Sequence, residues 1–270
     1  QAMLGLPTKK VKGEYARLFI ALRAAYTVYA MLTIAINGFG RIGRNVLKAG
    51  FDKAGFNVVA VNDLTDTKTL AHLLKHDSTY HAYDKQISFD DKHLIIEGKK
   101  IAVFAEKDPT KLPWGKLGID VVLECTGRFT DLEGASQHLT AGAKRVIISA
   151  PAKGGNVPTY VIGVNEKGAG KKVQVINNAS CTTNCIASVA AIMHEAFGVK
   201  KAMMTTIHSY TADQVLQDGP HKDLRRARSA AQNIVTTTTG AVIATTEVLP
   251  ELKGLFDGLS IRVPTPCVSL

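Results

Sequence analysis

The sequence predicts an α/β protein: a doubly wound parallel sheet, followed by a smaller region of α+β texture. Three observations predict it. From Met31 onward, short β-rich runs alternate with segments of helical period, the pattern of a parallel sheet with helices on its faces. A turn of G-x-G-x-x-G type joins the first strand to the first helix. After about Asn177 the alternation gives way to one long apolar helix, isolated strands and a long polar stretch. The 270 residues are 46% hydrophobic and 21% charged, which excludes a disordered, collagenous or disulfide-stapled chain. No apolar run reaches the roughly 18–20 residues that a spanning helix needs, so no membrane role is expected. The net charge of +10 suits an anionic partner.

Residues 1–30 read unlike the rest, with five basic side chains and one acidic. Lys9, Lys10 and Lys12 precede an apolar stretch, Leu18 to Ala30, that Arg23 interrupts. Two readings stand: a targeting segment, or a remnant of upstream translation that is no part of the fold. Leu32–Ile36 then reads as a strand ending at Gly38, Arg41–Ala54 as a helix, and Val58–Val61 as a strand ending at Asn62 and Asp63. Thr67–His76 is a helix, Ile101–Phe104 a strand among several short candidates, Ile119–Leu123 a buried strand, Asp131–Ala141 a helix and Arg145–Ser149 a strand. Beyond them come the helix Cys181–Phe197, the strand Met203–His208, the polar stretch Ser209–Asn233, a helix after Gly240 and a strand over Leu259–Val263. A polar stretch that long inside a compact domain is usually functional.

Gly38-Phe39-Gly40-Arg41-Ile42-Gly43 leaves a strand, opens a helix and is followed by Asp63 twenty residues past Gly43. That is the full context of a dinucleotide fingerprint, hence a Rossmann-type sheet. The glycines let backbone N–H groups approach a pyrophosphate at a helix N-terminus, and Asp63 suits the ribose hydroxyls. The charge of Asp63 would repel a 2′-phosphate, which favours NAD over NADP.

Ser180-Cys181-Thr182-Thr183-Asn184-Cys185 lies where a helix begins. Unpaired N–H groups and the helix dipole there stabilise a thiolate, so Cys181 is the candidate nucleophile. Cys185, one turn further in, reads as a buried structural cysteine. His208 closes a strand and is a candidate base, though a lone histidine is more often structural. Cys125, Cys181, Cys185 and Cys267 show no metal-ligand spacing, and their sparseness fits a reducing compartment.

These segments together resemble the glyceraldehyde-3-phosphate dehydrogenase family. Asn37 to Arg44 is similar to its cofactor turn, Ala179 to Cys185 to its active-site signature, and His208-Ser209-Tyr210-Thr211, Asp223 to Arg228 and Arg262-Val263-Pro264-Thr265-Pro266 to further blocks. The resemblance covers residues 31–270 and implies a division into an NAD-binding domain over 31–180 and a catalytic domain with a mixed sheet over 181–270. It implies Cys181 as nucleophile and His208 as base and oxyanion partner. Ser180 and Thr182 would flank the substrate. Thr211, Arg226, Thr239, Gly240 and Arg262 would bind its phosphate and the attacking inorganic phosphate; two arginines and several hydroxyl or N–H donors suit two oxyanions. Arg41, Ile42, Asp63, Lys107, Thr126, Gly127 and Ser149, with Gly38, Gly40 and Gly43, would contact NAD. Pro220 matches the NAD-using members. The Ser209–Asn233 stretch resembles a loop that lies across a neighbouring subunit's cofactor, which implies a homotetramer.

The implied reaction is glycolytic: a cysteine thiohemiacetal forms on glyceraldehyde 3-phosphate, hydride passes to NAD, and inorganic phosphate displaces the thioester to give 1,3-bisphosphoglycerate. Cytoplasmic location follows from that role. Cys267 stands where the family usually has Asn, and Ile243 where it usually has Lys. The family continues past the position of Leu270 with further strands and a final helix. The expectation is therefore a natural protein that starts near Met31 and extends beyond Leu270, with the catalytic sheet incomplete and turnover poor in a chain that stops there. Erythrose-4-phosphate dehydrogenase is a near alternative. A non-catalytic, RNA-holding protein is a distant one, with nucleic acid a secondary partner because no RNA-binding aromatic motif is present.

Overall fold

The computed structural model describes residues 31–154, 157–170 and 172–270; the sequence readings for residues 1–30 lie outside them. The first strand, β1 (Leu32–Asn37), runs into the glycine turn and α1 (Arg41–Gly50). β2 (Phe56–Asn62), α2 (Thr67–Lys75) and the short strands β3 (Ile87–Asp90), β4 (His93–Ile96) and β5 (Lys99–Phe104) follow. The chain then returns through β6 (Val121–Glu124), α3 (Leu132–Thr140), β7 (Arg145–Ile148) and β8 (Val175–Asn177). These strands form one sheet in the order β3-β4-β5-β2-β1-β6-β7-β8. From β5 to β8 the pairing is parallel; β3 and β4 join antiparallel at one edge.

The strand order reverses between β1 and β6. From β1 the chain winds outward through β2 and β5, and from β6 it winds the other way through β7 and β8. Loops leaving the carboxyl ends of β1 and β6 therefore diverge, and the crevice between them is where open α/β sheets take ligands. Ile34, Ile36, Val58 and Val61 pack with Leu47 of α1 and with Leu70 and Leu74 of α2 on one face; Ala35, Ala60 and Val122 pack with Trp114 and Ile119 on the other. Runs of small and branched apolar residues buried on both faces are what a parallel sheet requires.

The helix expected over Arg41–Ala54 ends at Gly50, because the chain turns through Gly55 at φ 81° to enter β2. The strand expected from Ile119 starts at Val121; Ile119 is buried in the preceding turn, where its carbonyl accepts from Lys144 N. β8 was not singled out in the sequence, being only three residues long.

In the second region α4 (Cys181–Phe197) and α5 (Ala241–Val248) pack together, and α5 also packs on the strand Phe256–Val263 of a three-stranded sheet. Its order is β10 (Val235–Thr237), β11 (Phe256–Val263), β9 (Ala202–Ser209), with β11 antiparallel to β10 and parallel to β9. That sheet is mixed, as expected. β11 begins three residues earlier than the Leu259 start read from the sequence. The register sets Arg262 of β11 directly beside His208 of β9. Residues 210–234 carry no helix or strand and are held by turns and by bonds such as Ala230 N–H to the Val215 carbonyl at 3.0 Å. Among the described residues no helix is long and apolar enough to cross a membrane.

Candidate active site

The glycine turn is shaped by contacts that exclude side chains. Gly38 has φ 90°, and a Cβ there would meet Thr126 N at 2.7 Å. A Cβ on Gly43 would meet the Gly38 carbonyl oxygen at 2.2 Å, while one on Gly40 would face open space. Gly40 caps α1 with no side-chain bond, and the first turn holds no acidic residue. The N–H groups of that turn thus face outward over a glycine with nothing above it, a cradle that fits the pyrophosphate of a dinucleotide. Asp63 takes the Phe39 N–H at 2.7 Å and the Thr65 N–H at 3.0 Å on its carboxylate, which fixes it beside the turn with acceptor capacity left for ribose hydroxyls. Thr126 and Gly127 (φ 70°) follow β6 across the crevice, Ser149 ends β7 and donates its N–H to the Glu124 carbonyl, and Lys107 is exposed after β5.

Ser180 is the N-cap of α4: its Oγ accepts from Thr183 N at 3.0 Å and lies 2.7 Å from Thr183 Oγ1. The Ser180 hydroxyl is thereby committed to the cap. Ala179 enters the helix at φ 56°, held by its N–H bond to Asn177 Oδ1 at 3.0 Å. This puts Cys181 on the first residue of the helix, exposed. Its Sγ is 3.3 Å from His208 Nε2. His208 Nδ1 lies 2.7 Å from the Ser209 carbonyl oxygen and 3.1 Å from Arg262 Nη1; with its proton on Nδ1, donated to that carbonyl, the neutral ring presents the lone pair of Nε2 to the thiol.

The electrostatics follow from this pair. The hydrogen bond shared with His208, which stabilises the thiolate once the proton sits on Nε2, draws the Cys181 pKa down to about 7, against the opposing effect of burial and with help from the Thr182 side chain and N–H. His208 is raised, first by Cys181, despite burial and the nearby Arg262 charge. Cys125 behaves oppositely: burial pushes its thiol up to about 11. Cys185 is exposed, which corrects the reading of it as a buried cysteine; it lies on the face of α4 that borders the same cavity as Cys181.

Arg262 Nη1 donates to the Ser209 carbonyl at 3.1 Å and reaches Thr211 Oγ1 at 3.5 Å. Arg226 is held by Asp213 and by the Thr238 carbonyl at 3.4 Å, with Asp223 at 3.7 Å. The Nε atoms of both arginines are buried with no hydrogen-bond partner. Thr239 accepts from the Ala241 N–H, and Gly240 caps α5. A cavity of about 1040 Å³ is lined by Arg41 and Ile42 from the cofactor turn and by Cys181, Thr182, His208 and Thr211 from the second region. Asp63, Lys107, Thr126, Gly127, Ser149, Arg226 and Arg262 do not line it. Sequence reasoning did not single out Tyr80, which lines the cavity beneath Arg41, or the buried polar side chains Asn37, Asn62, Glu124 and His138. The last signal was available, since Asn37, Asn62 and Glu124 each close a mostly apolar strand.

A dinucleotide cradle and a thiol–imidazole pair on one cavity define a cofactor-dependent dehydrogenase with a cysteine nucleophile. Residues 32–132 match the family model "Glyceraldehyde 3-phosphate dehydrogenase, NAD binding domain", and residues 180–270 match its C-terminal domain. The chain is 57% identical over 238 residues to the glyceraldehyde-3-phosphate dehydrogenase of Geobacillus stearothermophilus, covering 88% of this chain and 71% of that protein. It is 52% identical over 244 residues to the Borreliella burgdorferi enzyme, covering 88% and 72%, and 53% identical over 245 residues to the chloroplastic B form of Pisum sativum, covering 89% and 54%. The chain belongs to the glyceraldehyde-3-phosphate dehydrogenase family, an NAD-dependent oxidoreductase family, and NAD is its cofactor.

Proposed function

We propose that this chain oxidises glyceraldehyde 3-phosphate and phosphorylates the product to 1,3-bisphosphoglycerate, as a cytoplasmic step of glycolysis. The observation that carries this is the Cys181–His208 pair, 3.3 Å apart on the cavity that the cofactor turn also lines. The turn at Gly38, Gly40, Arg41, Ile42 and Gly43 holds the pyrophosphate, Asp63 the ribose, and Lys107, Thr126, Gly127 and Ser149 the remainder of NAD. When bound, NAD supplies the acceptor for the aldehyde hydride. Cys181 gives its proton to His208 Nε2 and the thiolate attacks the aldehyde carbon; His208 returns the proton to the new alkoxide and takes it back as that carbon gives up its hydride. Inorganic phosphate then releases the acyl group from Cys181.

Arg262 and Thr211, beside His208, form one oxyanion site. Arg226, Thr239 and Gly240 form the other, and Arg226 exchanges its ion pair with Asp213 for phosphate on binding. Thr182 faces the substrate; Ser180 holds the helix start. The domains divide at residues 180 and 181, and the 210–234 segment serves a homotetramer. Nucleic acid is a secondary partner, favoured only by the net charge of +10.

The test is NAD reduction by the purified chain with glyceraldehyde 3-phosphate and with erythrose 4-phosphate, each with and without inorganic phosphate. Phosphate-dependent reduction with a higher kcat/KM on the triose is expected. A higher kcat/KM on the tetrose, or reduction independent of phosphate, overturns the assignment.

A further inference from the structure

Beneath the cofactor turn lies a line of buried polar side chains with no part in the chemistry described so far. Asn62, Asn37 and Glu124 are the last residues of β2, β1 and β6, and the strand register places them side by side. Asn62 Nδ2 donates to Asn37 Oδ1 at 2.7 Å, and Asn37 Nδ2 donates to Glu124 Oε2 at 2.5 Å. The Glu124 carboxylate also accepts from His138 Nε2 at 3.1 Å, from Thr126 N at 2.8 Å and from Thr126 Oγ1. Trp114 Nε1 donates to His138 Nδ1 at 3.0 Å. An indole N–H can only donate, so Nδ1 bears the lone pair and Nε2 the proton, which is what Glu124 needs. At the other end Asn62 takes the Glu106 N–H at 2.9 Å and donates to the Glu106 carbonyl at 2.9 Å. Trp114, His138, Glu124 and Asn37 are each 1% exposed or less.

Asn37 Nδ2 also lies 3.3 Å from His138 Nε2, so the side chains form one closely packed network whose members cannot exchange partners without leaving a buried group unpaired. Its branches end at three places: Asn37 beside Gly38, the Thr126 backbone, and Glu106 beside Lys107. These are three of the segments to which NAD contacts are assigned above. We propose that the line from Trp114 to Asn62 is a positioning device that fixes the mutual spacing of the cofactor loops, with Glu124 and His138 as positioning residues for NAD. The inference rests on the reading that NAD seats on the Gly38 turn.

The variants His138→Leu, His138→Gln and Trp114→Phe test it, together with the NAD dissociation constant and the alkylation rate of Cys181. Leucine removes both bonds, glutamine can accept from Trp114 and donate to Glu124, and phenylalanine removes the indole donor while keeping an aromatic ring in the core. His138→Leu is expected to weaken NAD binding at least tenfold, His138→Gln to restore it to within about threefold, and Trp114→Phe to weaken it about threefold. Cys181 alkylation in the absence of NAD should stay within about twofold throughout. Trp114 is the sole tryptophan, so 5-fluorotryptophan labelling gives one ¹⁹F signal. It should move when NAD binds, although Trp114 is fully buried and does not line the cavity. If His138→Leu does not fold, Trp114→Phe and the ¹⁹F shift decide. Variants that lower thermal stability but bind NAD as the parent does, or a ¹⁹F signal indifferent to NAD, overturn the proposal. Failure of the parent chain to bind NAD overturns instead the reading on which it rests.

Discussion

Two of the imidazoles engaged by an acidic neighbour, His138 on Glu124 and His208 on Cys181, have different surroundings. Around His138 both ring nitrogens, the carboxylate and the two asparagines are hydrogen-bonded to one another inside the core. Around His208 the partner is an exposed thiol on a cavity, and the nearby Arg262 keeps a buried Nε without a partner. A closed network resists change because each exchange strands a polar group. An open one has room for a substrate to complete it and a proton whose position is free to change. The first arrangement maintains geometry; the second performs chemistry.

The comparison breaks most sharply if the open pair is dispensable. Cys181→Ser is expected to reduce steady-state NAD reduction roughly 10⁴-fold or more while leaving the NAD dissociation constant within about twofold. Turnover within tenfold of the parent would remove Cys181 from the reaction. The pair's protonation sharpens the contrast next. A Cys181 pKa lowered to about 7 means the thiolate is present above that pH and lost as pH falls through it, so the iodoacetamide rate should rise with a midpoint near 7. His208→Asn removes the largest cause of the lowering, so the midpoint should move up toward the ordinary thiol range. The rate at pH 7 should fall roughly tenfold, since a more basic thiolate is scarcer but intrinsically more nucleophilic. Peptide mapping should find Cys181 labelled ahead of the equally exposed Cys185; the reverse order would show that exposure, not the His208 bond, governs reactivity.

On the cofactor side, Asp63→Asn should reduce the ratio of NAD to NADP affinity by roughly tenfold, measured by titration with each. An unchanged ratio would leave Asp63 with only the Phe39 and Thr65 N–H bonds that it makes in the structure. The smallest effect concerns the start of α4. Ser180→Ala removes the cap on Thr183 N and should cost about 1 kcal/mol in denaturant unfolding. A tenfold rise in KM for the aldehyde with stability intact would instead assign Ser180 to the substrate.

The cofactor turn was legible because its function is a backbone shape. Gly38 and Gly43 cannot carry a Cβ, and their spacing between a strand and a helix states the requirement in one dimension. Cys181 was legible for a similar reason, standing at a helix start that Ser180 announces as a cap. The burial of Cys185 was misread because helical position gives a face, not what covers it.

The sequence by itself determined the alternation of strand and helix, the fingerprint, the capped helix with its leading cysteine, and the motifs that mark the family. These are local: each depends on residues a few positions apart, where backbone sterics and hydrogen-bonding capacity decide the outcome. Only the tertiary structure decided that His208 is a partner of Cys181 rather than a structural histidine, since β9 and α4 meet through packing between segments 27 residues apart. It likewise decided that Arg262 stands beside His208, through the register of β11 on β9, and that Asn62, Asn37 and Glu124 form one line, through the register of three parallel strands. Register between parallel strands is set by the burial of side chains on both faces of the sheet, a condition of the assembled core that no short window of sequence contains.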